Sequence, residues 1–308
     1  MNAIGREEHR DLVARFAAQT RPLAPEPIAR VAPRLPRFPD VAAVLFDVYG
    51  TLLVSASGDI GPAEEDTAHA MSAALAAAGF PPRSRDAGPR GAALREESVR
   101  RRHAGSRARG VKHPEVDIAS VFAELLDALC SEGLVAGVPD AAAARRLALE
   151  FEARSNPAWP MPGLEAVLAA LRQRRLVLGL VSNAQFYTPL LFDALLSRDL
   201  AALGFDRDVC AFSHEAGEAK PSPRLVETAL AALARKHGLS PRQVLAVGND
   251  VAKDIDPAAA LGCRTVLFAA DRRSFRPRAD DPLAAGRPPD AVLTELAQLV
   301  PLVSGEPS

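Results

Sequence analysis

Short runs of consecutive apolar residues recur along this chain. VAAVLF (41–46) comes first, then LVLGLVS (176–182), VCAFS (209–213), VLAVG (244–248), TVLF (265–268) and a brief piece at 291–293. Unbroken apolar runs of strand length predict strands covered on both faces, as in a parallel sheet. Helical spacing fills the intervals at 163–174, 186–197, 222–237 and 254–261, with a last helix after 293. Strands alternating with helices predict βαβ units, hence a doubly wound α/β core.

One interval breaks the alternation. Residues 54–159 carry no strand-like run and read as four helices at 62–78, 91–104, 115–131 and 139–154, separated by Gly and Pro. This predicts an all-helical insertion after the first strand, with the core made of 41–53 and 160–308. The insertion would lie over the carboxyl edge of the sheet, where open α/β sheets bind ligands. Ahead of the core, 5–19 reads as an amphipathic helix with Leu12, Val13 and Phe16 on one side. Residues 21–40 hold six prolines, which predicts an extended leader.

Composition changes this picture little. The chain has 308 residues, 48% of them apolar and 24% charged, with a net charge of −1. Such a balance gives no reason to expect nucleic acid as a partner. The N-terminus is charged too early for a signal peptide, and no uncharged apolar run reaches the ~18 residues of a membrane span. Cys130, Cys210 and Cys263 form no C-x-x-C pair. A reducing, cytoplasmic setting with no membrane partner is therefore expected, and oligomeric state stays open.

The chemistry gathers at strand ends. Asp47 follows the first strand in DVYGTL. A carboxylate there can act as a nucleophile, Gly50 permits a tight turn and Thr51 adds a hydroxyl. Ser182-Asn183 ends the second strand, where a hydroxyl and backbone N–H groups can hold an anionic oxygen. Lys220, before Pro221, supplies a cation. Asp250 and Asp254 follow the fourth strand and, with Asp47, offer hard oxygen ligands suited to Mg²⁺. Taken singly, each residue reads as readily as a turn or helix cap. Their joint placement after predicted strands favours one site for a small anionic substrate.

FDVYGTL, VSN, KP and GNDVAKD resemble the four motifs of the haloacid dehalogenase-like superfamily. The resemblance covers about 41–53 and 160–270, and the helical insertion resembles that family's cap. It implies a hydrolase with Asp47 as nucleophile, Thr51 and Ser182 on anionic oxygens, Lys220 balancing charge, and Asp250 and Asp254 as acids of the fourth motif. Substrate contacts would fall to Tyr49, Gly50 and Asn183. Mg²⁺ would be held by Asp47, the Tyr49 carbonyl, Asp250 and Asp254.

Tyr49 departs from the pattern. Phosphatases of this kind carry a second aspartate there as general acid, and 2-haloacid dehalogenases carry tyrosine. The dehalogenases, however, have a Ser-Ser-Asn type of fourth motif and no metal. The acids at 250 and 254 favour a Mg²⁺-dependent phosphatase of a small phosphorylated metabolite. A metal-independent 2-haloacid dehalogenase and a non-catalytic binding protein remain alternatives. A basic patch at 95–109, with Arg95, Arg100, Arg101, Arg102, Arg107 and Arg109, offers anion recognition from the cap or simply a solvated helix face.

Overall fold

The computed structural model describes residues 4–57, 64–277 and 288–303. Its centre is a six-stranded parallel sheet. The strands are β1 (Ala43–Phe46), β4 (Val177–Ser182), β5 (Ala211–Phe212), β6 (Val244–Gly248), β7 (Arg264–Phe268) and β8 (Ala291–Leu293). Their order is β5-β4-β1-β6-β7-β8. β1 pairs with both β4 and β6, with Ala43 opposite Val177 on one side and Val244 on the other. The chain therefore winds outward in both directions from β1, and the switch in direction falls at the ends of β1, β4 and β6.

Burial explains why the apolar runs are unbroken. All four residues of β1 are enclosed. Val44 and Phe46 face one layer, with α6 (Leu164–Gln173) and α7 (Thr188–Leu196). Ala43 and Leu45 face the other, with the helix Arg224–His237. Helices cover both faces, so the strands keep no polar alternation.

The predicted elements appear with modest shifts at their ends. The helical insertion consists of α2 (Glu64–Ala77), α3 (Ala87–Ala108), α4 (Ile118–Ser131) and α5 (Ala141–Ser155). Residues 62 and 63 of the first predicted helix lie outside the described residues. α3 starts earlier than its apolar spacing suggests, because Gly88 and Pro89 sit in its first turn. Proline is tolerated there, where an N–H has no helical partner.

Two further differences matter. The apolar pattern predicts an insertion without strands. Instead β2 (Leu53–Ser55) and β3 (Ala158–Pro160) pair antiparallel at its two ends, with Val54 opposite Trp159. Three residues are too few to register as an apolar run. The helix expected at 254–261 opens as a π-helical turn, Val251–Ile255, before Asp256–Ala260. Among the described residues no helix is long and apolar enough to cross a membrane.

The N-terminal segments are structural. α1 (Arg6–Gln19) buries Leu12 and Phe16 fully. Its polar groups reach both layers. Glu8 takes two hydrogen bonds from Arg145 of α5 (2.6 and 2.9 Å), Arg15 donates to the Ala77 carbonyl at the end of α2 (2.9 Å), and His9 meets Asp193 of α7 at 2.8 Å. The proline-rich leader then crosses the far edge of the sheet. Arg34 exchanges backbone hydrogen bonds of 2.8 and 3.0 Å with Val292 of β8, which covers the open edge of that strand.

Truncating a fully buried aromatic removes its transfer energy and leaves a cavity. Phe16→Ala should therefore lower stability by about 3–5 kcal/mol in chemical denaturation. A loss below about 1 kcal/mol would show that α1 does not unfold with the rest of the fold.

Candidate active site

Asp47 leaves β1 at the carboxyl edge of the sheet and is 9% exposed. The loop after it turns at Gly50, whose φ of +83° is open to glycine at little cost. A Cβ there would also lie 2.5 Å from the Ser274 side chain. The turn is thus as tight as expected, and Gly50 shapes the loop from beneath.

Three side chains define the setting of Asp47. Ser182, the last residue of β4, donates to Asp47 Oδ1 at 3.0 Å. Lys220 donates to the same oxygen at 2.7 Å, to Asp254 Oδ1 at 2.5 Å and to the Val181 carbonyl at 3.1 Å. Burial on its own would lower the Lys220 pKa. The charges and hydrogen bonds of Asp254 and Asp47 outweigh it and hold the ammonium above the ordinary lysine range. Lys220 is therefore a permanent cation.

Asp254 feels the opposite balance. Burial, joined by the charge of Asp47, pushes its carboxyl up to about 6, although Lys220 pulls it down. Its second oxygen accepts from the Asp250 N–H at 3.0 Å. The close fit of this carboxylate against Gly248 leaves no room for a side chain, since a Cβ there would sit 2.3 Å from Asp254.

The remaining predicted residues divide into two groups. Tyr49, Asn183 and Asp250 join Asp47, Ser182, Lys220 and Asp254 around one cavity of about 240 Å³. Thr51 and Gly50 lie behind it. Thr51 donates to Asn249 Oδ1 at 3.1 Å, and Asn249 in turn donates to the Ser274 carbonyl at 2.6 Å. Asn183 acts on the lysine loop, accepting from the Lys220 N–H at 2.7 Å and donating to the Lys220 carbonyl at 3.2 Å. Asp250 lines the cavity, yet its Oδ1 accepts from the N–H groups of Ala252 and Lys253 and caps the π-helical turn.

The cap closes the cavity from above. Its loop between α3 and α4 docks on the core through Gln185, which donates to the Val116 carbonyl at 3.0 Å and accepts from the Ile118 N–H at 3.1 Å. Glu115 Oε2 accepts from Ser213 at 2.8 Å. Glu152, in the last turn of α5, accepts from the Tyr187 hydroxyl at 2.9 Å. Burial raises the Glu152 carboxyl above its ordinary value, despite hydrogen bonds from Asn156 and Tyr187 and the nearby Arg95 charge. Burial, with the charge of Glu152, also raises the phenols of Tyr49 and Tyr187 well above 10, so both stay protonated. The Tyr49 hydroxyl lies 3.1 Å from Thr188 Oγ1.

The sequence pattern does not single out Glu115, Glu152, Asn156 or Tyr187, which also line the cavity. Glu152 leaves one trace. It follows Ala144 and Ala148 at intervals of four, so a charge interrupts the buried stripe of α5. Most of the arginine patch is solvated helix face, and Arg95 turns inward. Arg101 and Arg102 pair with Glu124, Arg100 pairs with Glu96, and Arg95 stacks 5.1 Å from the Phe151 ring centroid. None of the six lines the cavity. His214 contacts the Ala184 carbonyl at 3.0 Å, outside it.

Comparison with known proteins shows the family. A family model for haloacid dehalogenase-like hydrolases matches residues 41–262. No curated protein matches the chain. Among solved structures, a 2-haloacid dehalogenase from Pseudomonas syringae pv. Tomato DC3000 is 21% identical, with a TM-score of 0.50 over 84% of this chain and 96% of that one. A predicted phosphoglycolate phosphatase from Haemophilus somnus 129pt is 18% identical, with a TM-score of 0.47 over 86% and 99%. An L-2-haloacid dehalogenase from Xanthobacter autotrophicus, with chloropropionic acid covalently bound, is 23% identical, with a TM-score of 0.45 over 87% and 100%.

Asp254 must be ionised to hold Lys220 against Asp47. Its raised pKa places the loss of that charge as pH falls through about 6. The acid limb of a kcat/KM profile should therefore lie near pH 6, and Asp254→Asn should remove the limb while lowering activity at every pH. A limb that keeps its position in the variant would assign the titration to another group.

Proposed function

The chain belongs to the haloacid dehalogenase-like hydrolases, and on that premise we propose that it is a Mg²⁺-dependent phosphoric ester hydrolase acting through an aspartyl-phosphate intermediate on a small phosphorylated metabolite. One observation carries this reading. The cavity collects the carboxylates of Asp47, Asp250, Asp254, Glu115 and Glu152 against the ammonium groups of Lys220 and Lys253. Lys220 is already engaged by two of the carboxylates. An anionic phosphoryl group entering such a site requires further positive charge.

The donor chemistry suits Mg²⁺. Among the described residues, no three His, Cys, Asp or Glu side chains form a ready-made metal cluster. Mg²⁺ does not need one, because it binds through one or two carboxylates and keeps several waters. Asp47, the Tyr49 carbonyl and Asp254 would hold it, with Asp250 at the same edge. When bound, the ion would neutralise charge on the phosphoryl oxygens.

The residues of the chain then have the following tasks. Asp47 attacks phosphorus, the bond to the ester oxygen breaks as the aspartyl phosphate forms, and the departing alkoxide takes its proton from solvent water. Ser182 fixes the nucleophilic carboxylate in place. Lys220 balances its charge and, through Asp254, ties the ends of β1 and β6 together. Water then cleaves the acyl phosphate and restores Asp47.

A second reading draws on Tyr49. A phenol held protonated beside the nucleophile is a poor proton shuttle at neutral pH. A halide needs no proton to leave. Attack of Asp47 on the carbon of a 2-haloacid would thus dispense with both the acid and the metal.

One assay separates the readings. Phosphate release from a panel of phosphomonoesters should require Mg²⁺ and stop with EDTA, and Asp47→Asn should reduce it by at least about 10³-fold. Halide release from 2-haloacids that persists in EDTA would establish the second reading. Ligand binding without turnover of either panel would point to a non-catalytic protein.

A further inference from the structure

We propose that Glu152 selects the leaving group: the site prefers phosphomonoesters whose alcohol carries hydrogen-bond donors, hydroxyl or ammonium, over those whose alcohol carries a carboxylate. This rests on the phosphoric ester reading and adds the part of the substrate that lies beyond the phosphoryl group.

The roof of the cavity is built to present acceptors. Glu152 Oε2 accepts from the Tyr187 hydroxyl and Oε1 from Asn156 Nδ2, each at 2.9 Å. A carboxylate has about four acceptor sites, so these two bonds fix its plane and leave capacity for a substrate. Asn156 is itself held. Its Oδ1 accepts from the Ser55 hydroxyl at 2.7 Å and the Ser57 N–H at 3.3 Å, which anchors the end of α5 on β2. Tyr187 packs edge-on against Phe186, with ring centroids 5.1 Å apart. Glu152 is therefore a pre-positioned acceptor, supported by groups that cannot readily turn away.

Charge sharpens the choice. Both cations of the cavity, Lys220 and Lys253, belong to the core side, where the nucleophile lies. Among the described residues no arginine lines the wall opposite. Arg95, whose charge is felt by Glu152, stacks on Phe151 instead. Glu115 adds a second carboxylate to the cap wall. A carboxylate-bearing alcohol would meet like charge there. A hydroxyl or ammonium would make a charge-assisted hydrogen bond. The burial that raises the Glu152 carboxyl points the same way, since an incoming donor would stabilise the charge that burial disfavours.

The test compares kcat/KM of the full chain, with Mg²⁺, for glycerol 1-phosphate, phosphoethanolamine, 2-phosphoglycolate and p-nitrophenyl phosphate. The two donor-bearing esters should exceed 2-phosphoglycolate by about 10- to 100-fold. Glu152→Gln should collapse that ratio at least about tenfold, chiefly through KM, and phosphoethanolamine should lose more than glycerol 1-phosphate because the amide keeps an acceptor but no charge. Should Glu152→Gln fold poorly, Tyr187→Phe, which frees the carboxylate without removing it, should shift the ratio in the same direction by less. Equal or better hydrolysis of 2-phosphoglycolate by the intact protein, or an unchanged ratio in a folded Glu152→Gln, overturns the proposal. No phosphate release from any ester, p-nitrophenyl phosphate included, overturns the phosphoric ester reading itself, and this proposal falls with it.

Discussion

The ammonium of Lys220, buried between the carboxylates of Asp47 and Asp254, is the contact on which the site depends. Two carboxylates this enclosed cannot both stay ionised without a cation between them. The lysine comes from a loop of its own, pinned at both backbone groups by the Asn183 side chain. Asp47 and Asp254 come from the ends of neighbouring strands. The ion triad thus locks three separate crossovers at the point where the sheet changes winding direction. A buried network of this kind is weak evidence for stability. Its value lies in holding the Asp47 carboxylate in one orientation.

The rest of the molecule holds the cap in register with that triad. β1 has no freedom to move, being paired on both sides and packed on both faces. The cap meets the core through hydrogen bonds at Gln185, Ser213 and Tyr187, and one cluster of buried apolar residues runs through both. Such hydrogen bonds can exchange with water at modest cost, whereas the shared apolar cluster resists separation of cap from core. α1 complicates a simple hinge. It binds α5 and α2 of the cap and α7 of the core at once, so opening has to leave those contacts intact or carry α1 along.

Much of this is legible in the sequence, for a physical reason. Strands buried on both faces must be continuously apolar, and their polar successors stand out sharply. That contrast exposes Asp47, Ser182 and the Asn249–Asp254 segment from the residue pattern alone. Lys220 is legible through its motif. The pattern fails where an element is too short to show a period, as in β2 and β3, or where geometry departs from 3.6 residues per turn, as in the π-helical turn at Val251–Ile255. The cap wall is harder still. Glu152 and Glu115 gain meaning only when folding places them on one cavity with Asp47, far away in the chain, whereas the conspicuous arginines find partners in Glu96, Glu124 and Phe151.

Two neutral residues show how the site limits its own charge. Asn249 occupies the turn beside Asp47 and spends its oxygen on Thr51 and its amide nitrogen on the Ser274 carbonyl. A carboxylate in its place would leave that carbonyl without a donor and add negative charge beside Asp47, Asp250 and Asp254. Tyr49, two residues after Asp47, keeps its proton and lines the cavity with a phenol that contacts Thr188. Both positions are neutral where a further acid would crowd Asp47, and the acidity reappears on the opposite wall at Glu152 and Glu115. The negative charge of the cavity is thus divided between floor and roof. The floor keeps its cation at the centre, between Asp47 and Asp254, and the roof above it is anionic.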